Sequence, residues 1–158
     1  RLRTACDPRW HPFLALGVGC ALAKLRHELP EGPAVRDGYG FQLGLMERGW
    51  HPRGRPTTPE VERGRGRGLW FVAAGNADLC ARLIGDAPHE DARWRGVGTA
   101  CAFAGDPLGH AHRLPDLAGP WRPCIVDGAR DALRMWRSLG PPPRRVLDTL
   151  AALDPTLP

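Results

Sequence analysis

Residues 124–139 read CIVDGARDALRMWRSL and contain the clearest helical pattern in the chain. Apolar side chains recur there at steps of three and four residues, which places them on one face of an α-helix. That face consists of Ile125, Ala129, Ala132, Leu133, Trp136 and Leu139. Gly140 and the three prolines after it end the helix, and a last amphipathic helix is predicted over 144–153. This stretch sets the expectation of a helical protein.

The same periodicity predicts further helices toward the N-terminus. They cover 13–29, 39–48, 59–72, 76 or 77 to 84, and 90–104. Asp37 is a candidate N-cap for the second helix, and Thr57 or Thr58 for the third, with Pro59 in its first turn. Three glycines weaken the third helix, so a strand at 69–73 remains an alternative. Signals for other strands are scarce. The sequence therefore predicts one all-α domain over 1–158, with six or seven helices and an irregular loop at 106–123.

The charge pattern does not favour nucleic acid as a partner. The 158-residue chain has a net charge of +5, but Lys24 is its only lysine and the arginines are scattered, apart from Arg63, Arg65 and Arg67. Excess arginine, alanine, glycine and proline is typical of the codon usage of a G+C-rich, actinobacterial genome. The basic balance therefore indicates genome composition and not a nucleic-acid surface.

Cysteine and histidine spacing predicts neither a disulfide framework nor a metal site. The five cysteines are odd in number and form no CxxC motif, which fits a reducing, cytoplasmic setting. His110 and His112, with Cys124 or Asp106, form a conceivable metal set, but a loop position predicts solvent-exposed histidines, and no cofactor is expected. The longest apolar run, 13–23, is about half the length that spans a bilayer, so no membrane partner is expected.

Two parts of the chain are similar, either through an internal duplication or by chance in a chain rich in glycine and alanine. Residues 17–23 read GVGCALA and residues 96–102 read GVGTACA. Each is followed by an Asp-Gly pair and a helix, at 37–38 and at 127–128. The interpretation is a repeated unit in which a Gly-x-Gly helix pairs with an Asp-Gly helix.

The glycine-bearing strings are also the main candidates for function. The pairs 17/19 and 96/98 favour close contact between helices over a phosphate loop, because no GxGxxG or Walker lysine completes them. Glycines 64, 66 and 68 lie among arginines, where either close packing or an anion-binding nest is open. Tyr39, the only tyrosine, follows Asp37, so the pair offers either an acid and hydrogen-bond donor or an N-cap beside a packing aromatic.

Four strings in order resemble a bacterial domain-of-unknown-function family from gene clusters beside enediyne polyketide synthases. They are GVGCALAKL (17–25), DGYGF (37–41), GRGRGLWFV (64–72) and WRGVGTACAFAG (94–105). The family's members are about twice as long, so the resemblance implies that this chain is the C-terminal half. Because the chain begins with Arg1, we expect residues upstream of it. Two positions depart from the family pattern: Gln42 replaces the usual His, and Ala92-Arg93 replaces the usual Asp-Leu.

The resemblance implies an accessory role in enediyne-type polyketide biosynthesis, with a polyene intermediate or biosynthetic enzymes as partners. In that hypothesis an apolar cleft between the glycine-rich helices binds or tailors the polyene. The expected lining residues are Asp37, Tyr39, Arg67, Trp70 and Trp94. The alternative is a non-catalytic helical module that holds pathway enzymes together, with Asp37, Tyr39 and Arg67 lying apart. The departures at 42 and 92–93 leave the reaction itself undefined.

Overall fold

The computed structural model of the chain describes residues 6–25, 28–47, 57–85 and 87–157. Those residues contain eight α-helices and no strand. The helices are α1 (His11–Lys24), α2 (Pro33–Glu47), α3 (Pro59–Val72), α4 (Ala77–Ile84), α5 (Glu90–Ala104), α6 (Leu114–Leu117), α7 (Arg122–Leu139) and α8 (Arg144–Leu153). The all-α prediction is confirmed. None of the described helices combines the length and apolar character that crossing a membrane requires.

Several helices begin where their capping residues predict. The Thr58 hydroxyl accepts a hydrogen bond from the Val61 N–H at the start of α3, and Pro59 occupies the first turn. Asn76 accepts from the Leu79 N–H at 3.0 Å and caps α4. Helix α3 continues through its three glycines to Val72, so the alternative of a strand at 69–73 is wrong.

The N-terminal helices differ from their predicted bounds. α1 ends at Lys24, and Leu29 lies outside any helix because Pro30 disfavours helical geometry in the residue before it. α2 begins at Pro33, four residues before Asp37, so the prediction that Asp37 is an N-cap is wrong. Residues 26–27 and the predicted helix end at Arg48 lie outside the described residues.

The segment at 106–123 is more regular than predicted. Two 3₁₀ turns, Ala111–Arg113 and Gly119–Trp121, flank the short helix α6. Ala111, Leu114 and Ala118 are fully or almost fully buried in the main core. The expectation of an irregular loop is therefore wrong for this part, because apolar residues at steps of three and four bury one face of the turns.

Five helices lie side by side in the order α1, α2, α3, α5, α7, and glycines bring each pair into backbone contact. A Cβ added to any of these glycines would lie 1.9–2.2 Å from a carbonyl oxygen of the facing helix. The pairs are Gly19 with Gly38, Gly40 with Gly64, Gly66 with Gly96, and Gly98 with Gly128. In every pair, each glycine faces the carbonyl three residues before its partner, so all four interfaces share one reciprocal geometry.

This geometry explains why glycine is tolerated inside the helices. A helix-interior glycine costs roughly 0.5–1 kcal/mol relative to alanine. Here its absent Cβ lets two backbones approach, and the hydrogen in the Cβ direction points at a carbonyl oxygen, an arrangement that suits a weak Cα–H···O contact. The spacing Gly-x-Gly places one glycine toward each neighbouring helix, so a helix with this motif fits between two others.

The predicted duplication has an equivalent in the contacts. Gly19 of α1 faces the Val35 carbonyl of α2, and Gly98 of α5 faces the Ile125 carbonyl of α7. In the reverse direction Gly38 faces the Leu16 carbonyl, as Gly128 faces that of Arg95. The α1–α2 pair and the α5–α7 pair therefore make their glycine contacts at equivalent positions of the two repeats.

The hydrophobic core has two parts. The larger is built from α3, α4, α5, α6, α7 and α8 and includes Leu69, Trp70, Trp94, Val97 and Leu150. The smaller, between α1, α2 and α3, consists of Ala23, Tyr39, Leu43 and Val61. Among the described helices, α2 is the main neighbour of α1. Gly19 and Ala23 are the only buried residues of α1.

Candidate functional site

A cleft lies on one side of the helix row, between α1 and α7 at its two ends and α2, α3 and α5 in its middle. It is formed by two adjoining cavities of about 200 and 290 Å³. The cavities share the residues Phe13, Leu16, Arg67, Thr99 and Met135. Each of the five helices in the row contributes at least one of its inward-facing residues, so the cleft exists only when the whole row is assembled.

All four phenylalanines of the chain line the apolar part of this cleft. They are Phe13 on α1, Phe41 on α2, Phe71 on α3 and Phe103 on α5. Phe41 and Phe71 meet edge to face with ring centroids 5.9 Å apart. We call this site the phenylalanine cleft.

A charged group forms the other part of the phenylalanine cleft. The Asp37 carboxylate, which is 3% exposed, accepts from Arg63 Nε at 2.5 Å and lies 2.9 Å from an Arg67 guanidinium nitrogen. Arg63 and Arg67 are one helical turn apart on α3, so both reach the same carboxylate on α2. The Arg67 guanidinium also lies 5.2 Å from the centroid of the Phe41 ring. Two cations therefore face one anion beside the aromatic surface.

Burial decides the electrostatics of Arg67. Burial lowers the pKa of its guanidinium, and the nearby Asp37 carboxylate acts in the opposite direction. An arginine stays protonated in proteins despite such effects, so the cleft contains a poorly hydrated cation. Such a cation favours a carboxylate or a polarised carbonyl that enters from the apolar side.

The remaining polar groups at the cleft are engaged elsewhere. Asp131 on α7 accepts from Arg95 at 2.8 Å and pairs with Arg134. The Thr99 hydroxyl donates to the Arg95 carbonyl at 3.0 Å, and the Ser138 hydroxyl donates to the Met135 carbonyl at 2.7 Å. No histidine or cysteine is among the described residues that line the cleft, so its geometry offers binding groups and no activated nucleophile.

Of the five predicted site residues, Asp37 and Arg67 come together in the cleft. Tyr39 points away and is buried in the smaller core. Trp94 belongs to the larger core, where its indole N–H donates to Glu90 at 3.2 Å. Trp70 lines a separate cavity of about 710 Å³ that adjoins the cleft at Phe71.

That larger cavity is a weaker candidate for a site. The Asp106 carboxylate in its wall already accepts from the N–H groups of His110 and Ala111, at 2.9 and 2.7 Å. Asp148, also in its wall, accepts from Arg144 at 2.9 Å. Its acids therefore serve turns and surface pairs, whereas the phenylalanine cleft keeps its charges beside an apolar wall.

Most residues that line the cleft were not among the predicted site residues. Arg63 has a signal in the sequence, because it lies four residues before Arg67 on one helix face. The phenylalanines have a weaker signal, one phenylalanine on each of four helices. At the departures from the family pattern, Gln42 is half-buried on α2, and Arg93 lies in the core, where it donates to Glu62.

Metal and thiol chemistry find no support among the described residues. No group of three or more His, Cys, Asp or Glu side chains in the described ranges is arranged to hold a metal ion. Burial raises the pKa of Cys80 to about 12 and raises that of Cys101 as well, so these thiols stay protonated and unreactive.

The phenylalanine cleft is therefore the best-defined candidate site, described by aromatic walls and an Asp37–Arg63–Arg67 group. Its interpretation has to come from its own chemistry. Comparison with known protein families, with curated proteins and with solved structures gave no match.

Proposed function

We propose that the phenylalanine cleft binds an extended, unsaturated polyketide-type chain, and that the protein is an accessory factor in enediyne-type polyketide biosynthesis. The observation that carries this proposal is the gathering of all four phenylalanines on one cleft wall, next to the Arg67 guanidinium. The proposed pathway rests on the resemblance of the glycine-bearing strings to the enediyne-associated family. The proposed ligand class rests on the residues that line the cleft.

The cleft suits a flat, conjugated chain with a polar end. Aromatic rings bury apolar surface and stack on a π-system. Arg67, which shares Asp37 with Arg63, offers a planar donor for a carboxylate or carbonyl at that end. Cavities of about 200 and 290 Å³ side by side are small for a drug-sized ligand but sufficient for a narrow chain.

Binding, and not a reaction, is the function that the described groups support. The lining residues include no general base other than carboxylates that are already paired with arginine. A carrier or chaperone for a polyene needs an apolar surface and a group that binds its polar end, and this cleft offers both.

The alternative of a non-catalytic interaction module has one observation in its favour. α1 exposes apolar residues such as Val18. The contact between Asp37 and Arg67 does not match that alternative, which expects Asp37, Tyr39 and Arg67 all to lie apart. The two functions are compatible, because the exposed face of α1 and the phenylalanine cleft use different side chains.

The test is a fluorescence titration with a conjugated tetraene fatty acid, whose emission increases in an apolar site. We expect saturable binding by the wild-type chain. Met135→Trp, which fills the cleft, should weaken binding at least about tenfold, equivalent to 1.4 kcal/mol. Met46→Trp is the matched control, since Met46 is exposed on α2 outside the cleft, and it should bind like wild type.

A second comparison tests the role of the cation. Arg67→Met should weaken binding of the tetraene acid more than binding of the corresponding tetraene alcohol. If wild type and Met135→Trp bind alike, or the wild type does not bind at all, the proposal is refuted. A change in the tetraene absorbance spectrum during incubation would show conversion and contradict a purely binding role.

A further inference from the structure

The outer face of α1 exposes an unusual amount of apolar surface. α1 is apolar almost all round, and such helices are normally covered on every side. Val18 is 48% exposed and Leu25 is 73% exposed. Gly17 has no described atom within 4 Å of the position that its Cβ would take, which is true of no other glycine inside a described helix.

The internal repeat shows what covers the same residues elsewhere in the molecule. Residues 17, 18 and 21 of α1 correspond to 96, 97 and 100 of α5, and the residue types are identical: Gly, Val and Ala. On α5, Gly96 packs against α3, and Val97 and Ala100 belong to the larger core, where they are 0% and 4% exposed. The same three residue types are therefore buried in one copy of the repeat, with the glycine against a neighbouring helix, and exposed in the other.

α3, which packs against Gly96 of α5, has a glycine of its own at that contact. Gly96 meets the Arg63 carbonyl of α3, and Gly66 of α3 meets the Arg93 carbonyl of α5 in return. The residue of α1 that corresponds to Arg93 is Leu14, three positions before Gly17. A helix that covers α1 in this way needs a glycine of its own to approach the Leu14 carbonyl.

A second α1 meets that requirement. In all four glycine interfaces the contact is reciprocal, so the two helices can exchange roles without changing it. A helix with this motif is therefore complementary to itself, which is the condition for a two-fold symmetric interface. With two copies of α1, Gly17 of each would face the Leu14 carbonyl of the other.

The far end of the helix row does not offer the same surface. Arg130 of α7 occupies the position that corresponds to Gly40 of α2, whose Cβ would lie 1.9 Å from the Val61 carbonyl of α3. An arginine there prevents a backbone approach of this type. Association through α1 therefore closes on a pair and does not continue into a chain of copies.

We propose that the protein forms a two-fold symmetric dimer in which the α1 helices pack on each other through Gly17. Val18 and Ala21 flank the contact, as Val97 and Ala100 flank Gly96. Neither Gly17 nor Val18 lines the phenylalanine cleft, so the dimer leaves that cleft open. The proposal is independent of the proposed function.

The test is sedimentation equilibrium of the 158-residue chain over a range of about 1 µM to 1 mM, because dimer stability depends on protomer concentration. We expect a monomer–dimer equilibrium for the wild type. Gly17→Leu should weaken the dimer at least about tenfold, because a side chain there keeps the backbones apart. The isolated monomer should fold normally, since Gly17 has open space around it.

Two further variants make the result specific. Val18→Ser should also weaken the dimer, and it replaces Gly17→Leu as the test variant if Gly17→Leu does not fold. Met46→Ser is the matched control, because Met46 is 51% exposed on α2 but lies outside the proposed interface, and its dimer should equal that of the wild type. A wild-type monomer at every concentration overturns the proposal, as does a dimer that Gly17→Leu and Val18→Ser leave unchanged.

Discussion

At the scale of single residues, the most deeply buried ionic cluster lies between α3 and α5. Glu62 is 0% exposed and accepts from Arg93 of α5, while Arg65 Nε lies 3.5 Å from its other oxygen. Thr57 donates a hydrogen bond to Glu62 at 2.6 Å. Buried charges persist only when they are paired and hydrogen-bonded, so this cluster ties α3 to α5 at a fixed register.

Glu62→Gln should destabilise the protein by about 3–5 kcal/mol, because it leaves the buried Arg93 guanidinium without its carboxylate. Urea unfolding followed by tryptophan fluorescence measures the loss. Asp127→Asn is the matched control: Asp127 pairs with Arg130, both side chains are half exposed, and the cost should be below about 1 kcal/mol. Equal costs for the two variants would contradict the pairing described for Glu62.

The sequence allows only part of this residue-level picture to be predicted. Asp37 and Arg67, two of the five predicted site residues, both lie in the cleft. Tyr39 sits two positions from Asp37 on the same helix, so its side chain points to a different side of α2 and enters the smaller core. The burial of Glu62 and Arg93 has no signal in the sequence, since charged residues are ordinarily expected at the surface.

At the scale of helices, the ends follow local chemistry wherever a polar cap is present. α4 is short, with eight residues, so its stability depends strongly on the hydrogen bond from the Leu79 N–H to Asn76. Asp78 in its first turn pairs with Arg113, which links the start of α4 to the 111–113 turn.

Asn76→Ala should cost about 1 kcal/mol of folding stability, because the first turn of α4 loses its side-chain acceptor. Asn76→Asp keeps an acceptor and adds a negative charge at the helix N-terminus, so its stability should equal or exceed that of the wild type. Thermal unfolding of the three proteins measures the difference. An alanine variant as stable as the aspartate variant would show that the cap contributes nothing.

Helix prediction from the sequence succeeds and fails for identifiable reasons. α5 and α8 have the predicted bounds, because apolar periodicity and adjacent Gly or Pro residues define them. The start of α2 is missed because an acidic residue before a Gly-rich string has the appearance of a cap, whereas Asp37 serves the arginines of α3 from within the helix. Which helices become neighbours cannot be derived from periodicity alone.

At the scale of the whole molecule, one type of reciprocal glycine contact recurs at all four interfaces that assemble α1, α2, α3, α5 and α7 into a row. The row brings α1 and α7 to opposite sides of the phenylalanine cleft, so the fold and the candidate site have the same origin. The repeated Gly-x-Gly string in the sequence indicates close packing of this kind, but the curvature that creates the cleft emerges only from the assembled helices.

Close packing through the glycines is tested by comparing Gly19→Ala with Gly17→Ala by urea unfolding in dilute solution, where the monomer predominates. The two glycines are two residues apart on α1, but a Cβ at Gly19 would lie 2.0 Å from the Val35 carbonyl, and one at Gly17 would meet nothing within 4 Å. We expect Gly19→Ala to lower the free energy of unfolding by about 1–3 kcal/mol and Gly17→Ala to raise it by about 0.5–1 kcal/mol. Equal effects of the two substitutions on the free energy of unfolding would contradict close packing through the glycines.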